Sequence, residues 1–454
     1  MKLFIVLLTG AFMLATGTSD VFAKKKEKVQ TEAKSDTVRT ASKKRNTQYP
    51  RLFKNKRVVT KKGLITIHKI DDKLYFEFPK SLLGREFLMG SSISATSDNT
   101  SGLVGQTMTT PLHIRFAIQE DQVYMQNVTP VSRMDVYSNQ SDISKAVAKS
   151  NITPDMESFK IAAYNMDSTA VVFEVTKFFL ADNKRLPLFD QNSSSLEDEK
   201  YGQLELKAVL KKNLSSIRNF YVFDDNLEIN LDMSFYQSLL ASKKEVRGGN
   251  VRVKAVYSML LLPEETMVWR LGDPRLGYTF TKKQKISTEK DGTAFSYLQH
   301  KWNLLPADEE AYRRGDLVAP RKPVVFYIDS DFPEAWKKAI KEGVNWWNEA
   351  FKMAGFKDAV QTADFPANDT TFYAGNLKYS CIRYVPVNLS KTQSKVWVDP
   401  RSGEIINGTI FVGHDIAKTI ASQRFVQTAQ VDERMRGIQL SEEVLLEGIR
   451  LYVA

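Results

Sequence analysis

Apolar and polar residues alternate along most of residues 49–300, and this alternation predicts β-strands separated by turns rich in Asp, Asn, Gly and Pro. Two stretches, Ser141–Ala148 and Leu204–Lys212, have a spacing that also fits a helix. The strands expected in this region are Gly63–Ile70, Lys73–Phe78, Gly84–Met89, Leu112–Ile118, Gln122–Val128, Ala170–Val175, Phe220–Phe223, Leu227–Met233, Val251–Leu262 and Met267–Leu271.

From residue 323 the pattern changes to strands that alternate with helices. The continuous apolar run Val324–Ile328 is typical of a strand that is covered on both faces. After it, apolar residues recur at helical spacing up to Gly355, which suits the end of a helix, and we interpret this stripe as core packing. Its members are Trp336, Ile340, Val344, Trp347, Phe351 and Ala354. The remaining elements expected are strands Ala359–Gln361, Tyr379–Val385, Lys395–Val398 and Ile405–Val412, and a helix that begins near Ser441.

Taken together, these patterns predict an α+β fold. We expect a small β-rich domain at 49–98, a larger β-rich domain at 99–301, a connector at 302–322 and an α/β domain at 323–454. At about 150 residues per domain, the 454-residue length is compatible with this division.

The first 23 residues predict a secretory signal peptide. Lys2 precedes an apolar run, Leu3–Leu8 with Ala11–Ala15, that Thr9-Gly10 interrupts, and Val21-Phe22-Ala23 has the small-residue pattern of a cleavage site. The apolar run is shorter than the roughly 20 residues that a membrane span needs, and no other stretch is long enough. We therefore expect no transmembrane segment and an exported protein, either periplasmic or secreted.

The net charge of +11 comes from one short segment. Residues 24–62 hold fifteen Lys and Arg against three acidic residues, whereas the sequence after residue 62 has a net charge of −1. Residues 24–48 predict a basic, disordered leader. It is interpreted as a solvated linker, with weak electrostatic contact to anionic surfaces as the alternative. No aromatic residue interrupts it for base stacking, so nucleic acid is not an expected partner.

The residue types that usually carry metal or redox chemistry are scarce. Cys381 is the single cysteine, which excludes an intramolecular disulfide and a Cys-rich metal cluster. The four histidines are His68, His113, His300 and His414, and no two of them are four residues apart. No Gly-x-Ser-x-Gly, phosphate-binding Gly-rich loop or Cys-x-x-Cys is present. The motifs alone therefore indicate no catalytic residue and no metal ligand.

The C-terminal third resembles a known family. Its order of strand, long helix, strands and a helix entered through acidic residues resembles a zincin catalytic subdomain. The segments 302–329, Ile382–Pro386 and Asp399–Asn407 resemble large bacterial zinc-dependent metalloproteases of the Met-zincin type. Those proteins carry two uncharacterised N-terminal domains. Leu74–Leu88 resembles the first of these domains, and Asp273–Tyr278 resembles the end of the second.

The resemblance implies that residues 323–454 form the N-terminal half of a zincin-like metallopeptidase domain. It also implies zinc as cofactor, peptide-bond hydrolysis by metal-activated water and a peptide or protein substrate. In the family the helix that here includes Glu447 continues into His-Glu-x-x-His, a motif absent from this chain. We therefore expect the N-terminal portion of an exported zinc metalloendopeptidase that binds no zinc and is inactive as it stands. The alternative is a non-catalytic secreted protein that binds peptides or an envelope surface.

One substrate-binding element is also implied. Zincins of this kind hold a peptide as an added strand at the edge of their sheet. The segment Asn407–Gly413 resembles that strand, so the candidate substrate-binding residues are Gly408, Thr409, Ile410 and Phe411, with an ordinary sheet strand as the alternative. We interpret His414 as a surface or core histidine and His68 as a half-exposed strand residue, neither of them a metal ligand.

Overall fold

The computed structural model describes most of the chain after residue 47. The described residues are 48–98, 102–105, 107–129, 134–136, 141–189, 196–198, 200, 202–286, 293–366, 372–386, 393–436 and 441–453. The predicted signal peptide, 1–23, and all but the last residue of the predicted leader, 24–48, lie outside them. Within the described residues, no helix combines the length and the apolar character that a membrane crossing requires.

The strands, in chain order, are β1 (Val58–Lys62), β2 (Thr66–Ile70), β3 (Lys73–Pro79), β4 (Glu86–Thr96), β5 (Leu112–Gln119), β6 (Gln122–Asn127), β7 (Met134–Val136), β8 (Asp155–Tyr164), β9 (Ala170–Glu174), β10 (Leu196–Asp198), β11 (Gly202–Leu210), β12 (Ser216–Val222), β13 (Asn226–Ala241), β14 (Lys244–Leu261), β15 (Phe280–Ile286), β16 (Ala294–Gln299), β17 (Val324–Ile328), β18 (Val360–Asp364), β19 (Ser380–Val385), β20 (Gln393–Val398) and β21 (Ile405–Gly413). The α-helices are residues 48–53, Ser141–Ser150, Thr176–Phe179, Glu309–Arg314, Glu334–Met353, Ile416–Thr428 and Glu442–Val453. Short 3-10 helices lie at Lys80–Leu82, Lys212–Leu214, Pro274–Leu276 and Glu433–Met435.

A large antiparallel sheet forms the N-terminal two thirds of the described chain. Its strand order is β1-β2-β3-β9-β8-β6-β5-β4-β14-β13-β11-β10, with β12 also paired to β13. The strands of 49–98 and of 99–301 are interleaved, since β3 pairs with β9 and β4 pairs with β14. The two ranges therefore share one hydrophobic core, in which a group of phenylalanine rings packs: Phe76, Phe78, Phe87, Phe116 and Phe173.

The longest strands, β13 and β14, form a hairpin whose two turn residues both have positive φ, Ser242 at 49° and Lys243 at 67°. Two such residues are typical of the type I′ turn, whose twist matches that of the flanking strands. The two strands pair along the hairpin with one register shift, between Leu239 and Leu240, and Glu228 pairs with Ser258.

Two expectations for this region are wrong. Leu204–Lys212 is not helical, because β11 occupies Gly202–Leu210 and buries every second residue (Leu204, Leu206 and Ala208) while it pairs with β13. Met267–Leu271 is not a strand, since only an isolated bridge from Leu271 to Leu298 forms there. The expected helix at Ser141–Ala148 is confirmed as Ser141–Ser150. A small separate sheet has the order β16-β15-β7.

The C-terminal part contains a five-stranded mixed sheet with the order β18-β17-β19-β21-β20. Strands β17, β18, β19 and β21 are parallel, and β20 runs antiparallel to β21. The helices Glu334–Met353 and Glu442–Val453 pack against each other over one face of this sheet, with a shared core that includes Ile340, Ile382, Val412 and Ile449. Gly343 permits their close approach, because a Cβ atom there would lie 2.5 Å from the Arg450 carbonyl oxygen.

The α+β class is therefore confirmed, as a large antiparallel β-rich sheet together with a mixed sheet that carries helices. The predicted elements from 323 onward are confirmed to within a few residues, including the helix near Ser441. The helix Ile416–Thr428 was not expected from the pattern, and its apolar residues do not form one stripe: only Ile416 and Ile420 are buried.

Candidate functional site

The predicted substrate-binding residues Gly408, Thr409, Ile410 and Phe411 lie in β21, which is an interior strand. On one side Ile410 pairs with Ile382 of β19, and on the other Thr409 pairs with Lys395 of β20. The expected edge position is therefore wrong, because both sides of the β21 backbone already pair with neighbouring strands. The edge of the sheet next to this segment belongs to β20. Contact of Gly408–Phe411 with substrate stays a prediction.

The two faces of the C-terminal sheet have different surroundings. Side chains alternate along a strand, so Ile410 and Val412 face the helices, whereas Thr409 and Phe411 point to the opposite face. The same alternation gives that opposite face Arg383 of β19 and Lys395 of β20. This face packs against β4, β13 and β14 of the large sheet.

Apolar side chains fill part of the interface between the two sheets. Trp397 of β20 is fully buried in a cluster with Leu88, Leu260, Leu262 and Leu377. Gly90 of β4 permits this contact, since a Cβ atom there would lie 3.2 Å from the Trp397 ring.

Buried amide side chains join the same two sheets. Asn226 Nδ2 of β13 donates to Asn376 Oδ1 at 2.9 Å. Asn407 Nδ2 of β21 donates to the carbonyl oxygens of Leu377 and Tyr379, at 3.0 and 2.8 Å. These bonds satisfy amide groups that would otherwise destabilise a buried interface. They also hold the segment 372–379 against β13.

A cavity of about 370 Å³ remains between the sheets, and we call it the seam cavity. Strands β4, β13 and β14 line one side, and the segment 373–377 with β19, β20 and β21 lines the other. Its polar and aromatic walls are formed by Ser92, Glu228, Tyr373, Arg383, Lys395 and Phe411. Two of the predicted substrate residues, Thr409 and Phe411, therefore line a cavity instead of an edge.

Glu228 is the carboxyl group of this cavity. Its Oε1 atom accepts hydrogen bonds from Tyr373 Oη at 2.5 Å and from Asn230 Nδ2 at 2.8 Å. Burial raises the pKa of Glu228, although these two donors and the positive charges of Lys395 and Arg383 oppose the rise. Burial also raises the pKa of Tyr373, with the charge of Glu228 as the next cause, so Tyr373 stays a donor.

Lys395 and Arg383 supply positive charge. Lys395 is 9% exposed, and its Nζ atom donates to Ser92 Oγ at 3.3 Å. Burial lowers the pKa of Lys395 to about 8, a shift that the charge of Glu228 opposes and that of Arg383 increases. The Arg383 guanidinium lies 5.6 Å from the centroid of the Phe411 ring. The seam cavity thus brings two cations and one carboxyl group together between the two sheets.

Family models match two regions of the chain. Residues 47–96 match the model of a domain of unknown function, DUF5118, and residues 105–307 match that of another, DUF5117. The chain carries two domains of unknown function. No curated protein and no solved structure matches it. The matches confirm the two uncharacterised N-terminal domains that the resemblance implies. They identify no metalloprotease family, so that assignment stays a prediction.

The matched ranges show which parts of the chain build the seam cavity. DUF5118 contributes Ser92 on β4, and DUF5117 contributes Glu228 on β13. Tyr373, Arg383 and Lys395 come from the sequence after both matches. The cavity is therefore assembled only where all three regions meet.

The histidines lie outside the cavity and each has a polar partner. His68 is buried, with Nε2 2.9 Å from Glu77 Oε2 and Nδ1 2.8 Å from Thr60 Oγ1, so the half-exposed position expected for it is wrong. His414 is exposed, as expected for a surface histidine, and its Nδ1 lies 2.6 Å from Tyr384 Oη. The other two pair in the same way, His113 with Glu86 and His300 with Thr279 and Thr281. Within the ranges that the structure describes, no three His, Cys, Asp or Glu side chains are grouped as metal ligands would be.

The environment of Cys381 is that of a structural residue and not of a reactive thiol. It is fully buried on β19, and burial raises the pKa of its thiol to about 12. A thiol with so little thiolate at neutral pH is a poor nucleophile, so Cys381 acts as a small core residue.

Proposed function

We propose that this chain is the N-terminal portion of an exported zinc-dependent metalloendopeptidase, a family that hydrolyses peptide bonds with metal-activated water. The observation that carries the proposal is the arrangement of the C-terminal sheet. Four parallel strands, an antiparallel edge strand and two stacked helices on one face resemble the first half of a zincin domain. The helix Glu442–Val453 also begins with two acidic residues, as the resemblance leads us to expect.

The position of β20 at the edge of the sheet is an argument for a peptide substrate. Along this strand Ser394 and Val396 are exposed, and β21 pairs with only one side of the strand. A second cavity, of about 310 Å³, lies between this strand and residues 107–111. An extended peptide that pairs with an edge gains backbone hydrogen bonds without regard to its sequence. We therefore place the proposed substrate strand along the edge at Gln393–Val398, which pairs with the segment that contains Gly408–Phe411.

The described residues do not fit a catalytic zinc ion, since none of their His, Cys, Asp or Glu side chains form a group of three. We therefore derive no hydrolytic step from them. Apolar side chains of the last two helices are exposed, namely Phe425, Val426, Leu451 and Tyr452. Each helix therefore presents a pair of exposed apolar side chains that the zinc-binding half of the proposed domain would cover in the full-length protein.

The test compares the chain with the product of its complete reading frame. We expect the DNA downstream of Ala454 to encode His-Glu-x-x-His, and the longer product to cleave casein in a chelator-sensitive manner. Residues 24–454 alone should bind no stoichiometric zinc by elemental analysis and leave casein intact. N-terminal sequencing of the exported protein should begin at Lys24.

Two results would contradict the proposal. Stoichiometric zinc with chelator-sensitive proteolysis by residues 24–454 would show that the metal site lies within this chain. A stop codon directly after Ala454 would instead favour the alternative, a non-catalytic secreted protein that binds peptides or an envelope surface.

A further inference from the structure

We propose that the seam cavity is a binding site for a small, partly apolar carboxylate, whose charged group is held by Arg383 and Lys395. This inference does not depend on the metalloendopeptidase proposal, because it uses only groups between the two sheets. It assigns a ligand to a site that is assembled from both domains of unknown function and the C-terminal sheet.

Lys395 is the first observation. An ammonium group has three hydrogens to donate, and a buried one normally uses them because an unpaired buried charge is costly. In the part of the chain that the structure describes, Ser92 Oγ at 3.3 Å is its single hydrogen-bond acceptor. The side chain is nine-tenths buried and lines the cavity. Its other neighbour is the Trp397 ring, with the centroid 5.1 Å from Nζ, so the ammonium group can still donate to an acceptor in the cavity.

Arg383 is the second observation. The guanidinium group has five donors in a planar arrangement that matches the two oxygens of a carboxylate. Its contact in the structure is the Phe411 ring, and among the described residues no acceptor hydrogen-bonds to it. A carboxylate in the cavity would provide an acceptor for Arg383 and a second acceptor for Lys395.

Glu228 does not fill that role. Its Oε1 atom is occupied by Tyr373 and Asn230, and its Oε2 atom lies against Gly375, where a Cβ atom would be 2.3 Å away. Even when it is ionised, one carboxylate faces two cations, and the cavity keeps an excess positive charge. Glu228 therefore lowers the affinity for an anion without abolishing it.

The size and the walls of the cavity limit the ligand. Small-molecule sites span roughly 300–1,000 Å³, so the seam cavity, at about 370 Å³, suits a molecule of amino-acid or dipeptide size. Apolar side chains form a large part of the wall: Ile93, Val104, Val256, Leu377, Val385 and Phe411. An inorganic anion would leave these groups unused, whereas a carboxylate on an apolar body contacts both kinds of wall.

The test is isothermal titration calorimetry on the purified chain with N-acetyl-leucine as probe. N-acetyl-leucinamide, which lacks the carboxylate, and inorganic phosphate, which lacks the apolar body, are the matched comparisons. We expect N-acetyl-leucine to bind at least about tenfold more tightly than either of them. A pentapeptide that ends in leucine distinguishes the sources: equal binding indicates a chain terminus, and weaker binding indicates a free small molecule.

Substitutions test whether the probe binds in the seam cavity. Arg383→Gln and Lys395→Met should each weaken N-acetyl-leucine binding by about tenfold or more, as loss of one charge-assisted partner predicts. Glu228→Gln should strengthen it, because the opposing carboxylate is removed. Lys338→Gln, an exposed lysine of the helix Glu334–Met353, is the control and should change nothing. Circular dichroism checks that each variant is folded.

Three outcomes would overturn the proposal. The first is that the amide or phosphate binds as tightly as N-acetyl-leucine. The second is that no probe binds with a Kd below about 10 mM, roughly the weak limit of specific recognition. The third is that Arg383→Gln binds the probe as Lys338→Gln does. Because Glu228→Gln changes affinity in the opposite direction, a general loss of structure cannot imitate the expected pattern.

Discussion

Tyr373 Oη donates a hydrogen bond to Glu228 Oε1 at 2.5 Å, although 145 residues separate the two in the sequence. The bond joins a segment that precedes β19 to β13 of the large sheet, at the wall of the seam cavity. The Tyr373 ring also stacks on Tyr221 of β12, with ring centroids 4.2 Å apart. One side chain therefore couples the C-terminal sheet to a buried carboxyl group.

We predict that Tyr373→Phe lowers the free energy of unfolding by about 1–3 kcal/mol, because Glu228 loses a donor while it stays buried. The ring stacking is retained in phenylalanine, so the change isolates the hydroxyl group. Urea denaturation measures it, with Tyr278→Phe, at a tyrosine that is 54% exposed, as the control with little effect. Equal losses in the two variants would show that the bond to Glu228 contributes nothing.

The C-terminal strands could be predicted closely because each is a short apolar run between turn residues. Ile405–Val412, for example, is Ile405–Gly413 in the structure. Leu204–Lys212 could not be assigned from its own residues, since its spacing fits a strand as well as a helix. Pairing with β13 decides between the two, and that partner lies about 30 residues further along the chain.

The seam cavity could not be predicted from the sequence. Alternation places Arg383 and Lys395 on one face of their sheet, but no local signal says that this face meets Glu228. The edge position expected for Gly408–Phe411 failed for a related reason: strand order depends on long-range pairing, and β20, which precedes β21 in the chain, lies outside it.

The stability of the protein should depend on pH through Glu228. Its pKa is raised in the folded state, so the folded chain binds this proton more tightly than the unfolded chain does. The contribution of Glu228 to the free energy of unfolding should therefore be fully present below its unfolded pKa and be lost as the pH rises through the raised pKa, by at most about 1.4 kcal/mol per pH unit for one group. The charged and titratable groups that face it are Lys395, Arg383 and Tyr373.

Glu228→Gln should remove this contribution. Urea denaturation of both proteins between pH 5 and about pH 7 stays below the pKa of Lys395, about 8, so the lysine charge is nearly constant. We expect the variant to gain stability relative to the natural protein as the pH rises. Parallel curves for the two proteins would show that Glu228 does not titrate differently on folding.

Trp397→Ala should destabilise the protein by about 3–5 kcal/mol, because it removes a fully buried ring from the cluster that joins β20 to the large sheet. Trp346→Ala is the matched control, since Trp346 is 46% exposed on the helix Glu334–Met353 and should cost about 1 kcal/mol or less. A loss at Trp397 no larger than that at Trp346 would mean that this cluster does not hold the sheets together.

Alanine substitutions at Gly105 and Gly84 separate the effect of contact with the Phe411 ring from the effect of backbone strain. Both have positive φ, 83° and 78°, so alanine incurs a similar conformational cost at each. At Gly84 a Cβ atom would meet nothing within 4 Å, whereas at Gly105 it would lie 2.3 Å from the Phe411 ring. Gly105→Ala should therefore lower the free energy of unfolding by about 1–3 kcal/mol more than Gly84→Ala.

Combining each glycine change with Phe411→Ala completes the test. Removal of the ring eliminates the clash, so the difference between Gly105→Ala and Gly84→Ala should shrink to about 0.5 kcal/mol or less in that background. A difference that survives would place its origin in the backbone around Gly105, whose N–H donates to the Ile93 carbonyl oxygen at 2.8 Å. The expected result would show that DUF5117 packs against the C-terminal sheet at Phe411, since the match to that domain starts at Gly105.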